Sequence, residues 1–266
     1  MLVDRVIVQR LTDFIWVGID SALSRSHVNR VARIFYALKT SLDKLKFYYD
    51  NVTIDSARAP TRYFPSITTY KIKDKGRHQR VQFNYLGYLE SGLDCVTLRA
   101  RTSTKPVQDI VVKFVERYSE KAHRLLAEAG LAPRVLYCGP VSCDPKQPSY
   151  DSLTMVVMAY IDGSTYGSAK STMTRAMKTT VRSELNRALE LLHGNGLVFG
   201  DLRSPNVMIT GGKVMLIDFD WAGEAEQVRY PHLLSSAIAW PKDVQPLDPI
   251  KKEHDLEMLA KLLASS

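Results

Sequence analysis

One segment in the last third of the chain constrains the fold more than any other, because it sets polar side chains between apolar, strand-like residues. Residues 198–209 read VFGDLRSPNVMI and bring together the carboxylate of Asp201, the guanidinium of Arg203 and the carboxamide of Asn206. Twelve positions after Asn206, Asp218 follows directly on another apolar stretch. The pattern indicates a hydrophobic scaffold that presents reactive groups on loops at the ends of its strands.

Phosphoryl transfer requires these residue types. Carboxylate and carboxamide oxygens are hard ligands suited to Mg²⁺, a cation stabilises the transferring phosphate, and a carboxylate orients the attacking hydroxyl. An Asp and an Asn five positions apart are common in loops, so the order of several motifs along the chain carries the interpretation.

That order resembles the protein-kinase-like fold. The family's catalytic-loop pattern H-R-D-L-K-x-x-N is similar to residues 199–206 (FGDLRSPN), and its D-F-G motif is similar to residues 218–220 (DFD). Upstream, Lys113 within IVVKF resembles the strand lysine of the V-A-I-K motif, and residues 157–161 (VMAYI) resemble the hinge between the two lobes.

The resemblance covers roughly residues 81–263. More narrowly, it is to kinase-like proteins that are abundant in filamentous fungi, some of them joined to Crinkler-type effectors. Four stretches carry this narrower resemblance: residues 120–126 (EKAHRLL), 131–133 (LAP), 198–203 (VFGDLR) and 218–223 (DFDWAG).

The resemblance implies a role for each matching residue. Asp201 would orient or deprotonate the acceptor hydroxyl, and Arg203, where the family keeps a lysine, would neutralise the γ-phosphate with a forked guanidinium. Lys113 would contact the α- and β-phosphates of ATP. Asn206 and Asp218 would hold Mg²⁺.

A carboxylate is also expected to hold Lys113 in place. We assign this role to Glu120, because Glu116 lies only three residues beyond the lysine and Glu128 lies nearly at the end of the following helix. Three more residues are expected to contribute to the nucleotide pocket, two at the hinge and one in the turn that matches the glycine-rich loop: Met158, Tyr160 and Gly92.

The chain departs from the family pattern at several places. The loop G-x-G-x-x-G is missing, which weakens the expected backbone cradle for phosphates. Phe199 and Gly200 replace the histidine and arginine before the catalytic aspartate, so no arginine there can receive a phosphorylated activation loop. Asp220 replaces the glycine of D-F-G, where it would supply another metal ligand or repel the triphosphate.

Hydrophobic periodicity predicts an α+β protein with two lobes. We expect an N-terminal helical extension and basic loop (residues 1–80), an antiparallel β N-lobe with the hinge (81–161) and a reduced helical C-lobe with the catalytic loop (162–266). Apolar residues three and four apart predict a helix over residues 26–49. Strand-like stretches within residues 81–115 predict a three-strand antiparallel meander, and a second helix is expected over about residues 116–129, ending at Gly130. A last helix, over about residues 254–263, resembles the one that anchors the helical lobe of the family. The basic residues between this helix and residue 81 are interpreted as a loop: Lys71, Lys73, Lys75, Arg77 and Arg80.

Composition excludes several classes of protein. A hydrophobic fraction of 45% with 24% charged residues is typical of a folded globular chain. The most apolar early stretch, residues 14–19, is far shorter than the roughly 20 residues of a membrane span. The three cysteines form neither a disulfide framework nor a metal knuckle, so we expect a cytoplasmic or nuclear protein without a membrane partner.

These observations predict an ATP- and Mg²⁺-dependent phosphotransferase that acts on a hydroxyl, with protein Ser/Thr as the first acceptor. Small molecules of the aminoglycoside or choline type are the alternative acceptors. A pseudokinase, which keeps the fold as an interaction module, is the competing class. Residues 1–112 hold 18 Lys and Arg against 10 Asp and Glu, but no recognition motif accompanies this charge, so nucleic acid is not an expected partner. Oligomeric state and regulation stay open.

Overall fold

The computed structural model describes residues 25–51, 65, 67–74, 77–89, 97–141 and 153–264. The chain divides into two compact units, residues 1–64 and 65–266. In the first unit, helix α1 spans Arg25–Asn51, as the apolar periodicity predicts. No helix within the described ranges has both the length and the apolar character needed to cross a membrane.

The second unit begins with a six-stranded antiparallel sheet in the order β1-β2-β3-β4-β6-β5. Its strands are β1 Thr69–Asp74, β2 Arg77–Tyr88, β3 Thr97–Thr102, β4 Asp109–Val115, β5 Val135–Pro140 and β6 Thr154–Ala159. The predicted meander is confirmed as β2, β3 and β4. Apolar side chains from one face of the sheet form a core around Phe83, Ile110 and Val157.

The basic loop expected before residue 81 is wrong for residues 69–74 and 77–80, which lie in β1 and the start of β2. Tyr70 is buried whereas Lys71 is exposed, so side chains alternate between the two faces of the strand. The run of lysines hid this period of two. Lys75 lies outside the described residues.

Helix α2, Glu120–Glu128, follows β4 and is shorter than the predicted helix, which began at residue 116. The side chain of Ser119 accepts a hydrogen bond from the backbone N–H of Ala122 and so caps the helix. At the other end, Gly130 has φ +75° and terminates the helix as the sequence predicts. The Ser119 cap makes Glu120 the first residue of α2.

The C-lobe is built around helix α4, Arg175–Gly194, with the last helix, α5 Lys252–Ala264, packed against it. Short elements lie between them and carry the candidate site: β7 Ser164–Thr165, α3 Tyr166–Ala169, β8 Leu197–Val198, β9 Val207–Thr210, β10 Lys213–Leu216 and β11 Gly223–Glu224. Strands β10, β9 and β7 form one small sheet, and β11 pairs with β8. The expected α+β architecture, with a β N-lobe and a helical C-lobe, is confirmed.

Candidate active site

The catalytic-loop residues converge on the carboxylate of Asp201, which is almost fully buried. Its Oδ1 accepts a hydrogen bond of 2.8 Å from Nε of Arg203, and its Oδ2 accepts one of 2.8 Å from Nδ2 of Asn206. Nδ2 of Asn206 also donates to the backbone carbonyl of Asp201 at 2.9 Å. Burial raises the pKa of Asp201 despite the opposing effect of Arg203, so this carboxylate is a stronger proton acceptor than an exposed aspartate.

A second carboxylate, from helix α5, holds the backbone that leads to Asp201. Asp255 is 1% exposed, and its two oxygens accept hydrogen bonds of 2.8 Å from the backbone N–H groups of Phe199 and Gly200. Gly200 has φ +83°, and a Cβ there would lie 2.9 Å from the carbonyl oxygen of Trp221. Only glycine meets both conditions without strain.

Asp218 and Lys113 lie together although 105 positions separate them in the chain. Nζ of Lys113, on β4, donates to Oδ1 of Asp218 at 2.7 Å. Burial alone would raise the pKa of Asp218, but the charge and hydrogen bond of Lys113 outweigh it and hold this pKa below its usual value. Asp218 has φ +69°, a strained conformation for a residue with a side chain and one that is concentrated at functional sites.

The Lys113 ammonium is shared with Asp220. Nζ and Oδ1 of Asp220 are 2.8 Å apart, but the atoms are not aligned for a hydrogen bond, and this oxygen has no hydrogen-bond donor among the described residues. Burial and the neighbouring Asp218 raise the pKa of Asp220 to about 7. The two carboxylates in turn raise the pKa of Lys113 above its usual value against the effect of burial. Lys113 is therefore charged at neutral pH.

The expected pairing of Lys113 with Glu120 is not found. Glu120 accepts a hydrogen bond of 2.7 Å from Nε of Arg124, one turn further along α2, and its side chain is 42% exposed. Glu120 is the first residue of α2, and Arg124 lies four residues later on the same face of the helix.

A cavity of about 420 Å³ lies between the lobes and is lined by several of the predicted residues. Lys113, Met158, Tyr160, Asn206 and Asp218 all contribute to its wall. Asp201 and Arg203 are not part of this wall; Asp201 lies directly behind it, hydrogen-bonded to Asn206. Gly92 lies outside the described residues.

The hinge side of this cavity can receive a planar base. The backbone N–H of Tyr160 donates to the carbonyl of Asp109, whereas that of Ile161 has no partner within the described part of the chain. Val111 and Met208 supply apolar walls. An apolar slot with a free backbone donor at its rim fits an aromatic ring that has an acceptor nitrogen.

The donor set fits a magnesium ion. Because Nδ2 of Asn206 bonds to Asp201, its Oδ1 stays available as a ligand, and Asp218 contributes carboxylate oxygens to the same cavity. Hard oxygen ligands of this type suit Mg²⁺, which usually completes its shell with water and phosphate.

Sequence reasoning missed two residues that position this site. Asp255 was missed because the backbone groups that it binds lie 55 and 56 positions away in the chain. Its place at the start of a helix similar to the family's anchoring helix was the available signal. His123 is fully buried, and its ring stacks on Phe219 with centroids 4.4 Å apart. Its Nε2 donates to the carbonyl of Pro133, so Nδ1 accepts from the hydroxyl of Tyr118.

Comparisons with known proteins agree with this geometry. A family model described as the RIO domain matches residues 145–236, less than half of the chain. The solved structure of the kinase PK-1 of Cydia pomonella granulovirus is similar with 13% identity and a TM-score of 0.53 over 69% of this chain and 69% of that one. No curated protein matches. The fungal Crinkler-associated type stays a prediction, and the comparisons establish that this chain has a protein-kinase-like fold.

Proposed function

We propose that this protein transfers the γ-phosphoryl group of ATP to a hydroxyl, in a reaction that requires Mg²⁺. The convergence of Lys113 and Asp218 at 2.7 Å, on a cavity that Asn206 also lines, is the observation that carries the proposal. A buried cation beside carboxylate and carboxamide oxygens provides the charges that a metal-bound triphosphate needs. The apolar hinge slot provides the place for adenine.

Each residue has a step to perform. Asp201 accepts the proton of the acceptor hydroxyl while that oxygen bonds to the γ-phosphorus and the bond to the β–γ bridging oxygen breaks, which releases ADP. Arg203 donates to Asp201 and neutralises charge on the transferring group. Asn206 and Asp218 would hold Mg²⁺, which offsets the negative charge of the phosphates when it is bound.

Protein Ser/Thr is the first acceptor that we propose, and a small-molecule hydroxyl is the second. No helix lies between β11 and α5 in the described structure, so the C-lobe offers a small platform for a peptide. The two acceptor classes share the catalytic residues and differ only in what binds beside Asp201. A panel of both classes is therefore needed in the assay.

The pseudokinase alternative rests on Asp220, which brings a second carboxylate to the lysine that should bind phosphate. In that case the cavity would reject ATP or bind it without transfer. A thermal-shift titration separates the cases at low cost, because ligand at one hundred times its Kd adds about 2.7 kcal/mol of stability. ATP binding without turnover, or no shift of the melting temperature at millimolar ATP, would support the pseudokinase alternative.

The decisive experiment measures phosphate incorporation from labelled ATP with the full chain, with Mg²⁺ or with EDTA. Mass spectrometry of the products identifies phosphorylated Ser or Thr on the chain itself and on added acceptors. Asp201→Asn and Lys113→Met should each lower the rate by about 10²-fold or more. Asp243→Asn, in an exposed turn outside the cavity lining, is the matched control. Turnover by the unmodified chain no higher than that of the two site variants, across all acceptors, would refute the proposal.

A further inference from the structure

The carboxylate that pairs with Lys113 does not come from helix α2. Among the described acidic residues, only Asp218 and Asp220 form ion pairs with Nζ of Lys113, at 2.7 and 2.8 Å. The expected partner, Glu120, is bonded to Arg124. The lysine therefore takes both of its counter-charges from the segment that follows β10.

Asp220 is held rigidly in this position by its backbone and by its neighbour. Its carbonyl accepts a hydrogen bond of 2.9 Å from Nε of Arg117, whose Nη1 also donates to the carbonyl of Arg229. The preceding residue, Phe219, is fully buried, and its carbonyl accepts from the backbone N–H of Ser119 at 3.1 Å. These contacts hold the backbone from which the carboxylate of Asp220 extends towards Lys113.

The buried ammonium of Lys113 needs a counter-charge both when the site is empty and when nucleotide is bound. The side chain of Lys113 is only 9% exposed, and an unpaired charge at such a depth is strongly unfavourable. If Asp218 turns its oxygens to a metal ion when nucleotide binds, Asp220 is the carboxylate that stays with the lysine. Asp220 does not line the cavity, so its carboxylate does not compete with Asp218 for the metal ion.

We propose that Asp220 is a positioning residue for Lys113 and performs the task that sequence comparison assigns to a glutamate on the helix after β4. This inference rests on the proposed function and names the residue that orders its phosphate-binding lysine. The opposite view, that the charge of Asp220 repels the triphosphate, predicts a change of opposite sign when the charge is removed. Binding measurements therefore decide between the two.

The test compares the binding of ATP with Mg²⁺ and of adenosine to the full chain by calorimetry, at about pH 8, above the usual pKa of a carboxyl group. Asp220→Asn should weaken ATP binding about tenfold, in line with the loss of one ion pair to a buried charged group. Adenosine binding should change less than about twofold, because adenosine lacks the phosphates that Lys113 contacts. A general distortion of the cavity would weaken both ligands.

Further variants make the experiment decisive. Asp220→Gly should show the same selective loss of ATP affinity, and it replaces Asp220→Asn if that variant does not fold. Asp220→Glu keeps the charge and should restore part of the affinity. Glu120→Gln tests the competing carboxylate directly and should leave ATP affinity within about twofold, as should the control Asp243→Asn.

Several results would overturn the inference. ATP affinity that is unchanged or higher in Asp220→Asn, equal losses for ATP and adenosine, or a loss in Glu120→Gln as large as that in Asp220→Asn would each do so. In all three cases the unmodified chain would still bind ATP and transfer phosphate, so the proposed function would survive. No ATP binding by the unmodified chain would overturn both.

Discussion

Replacement of Asp255 by asparagine tests whether one buried carboxylate in α5 fixes the backbone of the catalytic loop. Oδ1 of Asp255 accepts from the N–H of Gly200 and Oδ2 from that of Phe199, both at 2.8 Å. Oδ2 also lies 3.0 Å from Nε2 of His193. Asparagine keeps the shape of the side chain, but it turns one acceptor oxygen into an NH₂ donor that would face a backbone N–H.

The size of the effect follows from these contacts. A hydrogen bond to a charged group contributes about 1.5–3 kcal/mol, and a buried donor left without a partner costs about 1–3 kcal/mol. One of the two backbone bonds survives in a neutral form, so we expect the free energy of unfolding to fall by about 3 kcal/mol. Phe199 and Gly200 lead directly to Asp201, so the turnover number should also fall at least about tenfold, the factor that corresponds to 1.36 kcal/mol of activation free energy.

Urea unfolding of the full chain, followed by tryptophan fluorescence, measures the first effect. Trp221 and Trp240 pack against each other in the C-lobe with ring centroids 5.5 Å apart, so their emission reports on this lobe. Glu253→Gln is the matched control, because it removes an exposed carboxylate from the first turn of the same helix and should cost at most about 1 kcal/mol. An unfolding midpoint and a turnover number for Asp255→Asn equal to those of the unmodified chain would refute the reasoning.

Two further predictions concern residues around the same loop. Gly200→Ala should destabilise the protein by about 1–3 kcal/mol more than Gly212→Ala in urea unfolding, because both glycines have φ near +80° but only at Gly200 would the new Cβ meet the carbonyl of Trp221; equal losses would contradict the steric argument. Burial lowers the pKa of His123 to about 4, so the folded protein holds this ring in its neutral form. Its contribution to the free energy of unfolding is fully present above about pH 6.5 and is lost as the pH falls towards 4. Between pH 7 and 5 the loss should be about 2 kcal/mol and should disappear in His123→Phe, which keeps an aromatic ring beside Phe219; the same pH dependence in both proteins would exclude His123 as its source.

Sequence alone located the residues whose chemistry admits few substitutes. Asp201, Asn206, Asp218 and Lys113 were each placed by type, spacing and order, and the structure brings the last three to one cavity. In the proposed reaction, the chemistry of phosphoryl transfer and the ligand preference of Mg²⁺ would restrict the residue types at such positions. Short motifs therefore carry most of the information on this part of the site.

Contacts that depend on where a helix or strand begins could not be predicted from sequence motifs. Which of the acidic residues near α2 would reach Lys113 depends on where the helix begins. The Ser119 cap makes Glu120 its first residue, and Glu120 pairs with Arg124 one turn further along. The alternation in β1 was overlooked because its lysines belong to a run of basic residues that was interpreted as a loop. Asp255 was missed because its partners are backbone groups, which leave no trace in the pattern of side chains.

Helix α2 remains coupled to the site through packing instead of through an ion pair. The ring of His123, on this helix, stacks on Phe219, which lies between Asp218 and Asp220 and meets Phe199 edge-on with centroids 5.4 Å apart. A buried aromatic contact therefore joins α2 to the residue that lies between the two carboxylates. Since a close-packed core transmits displacements, a shift of α2 would move these carboxylates even though Glu120 does not touch Lys113.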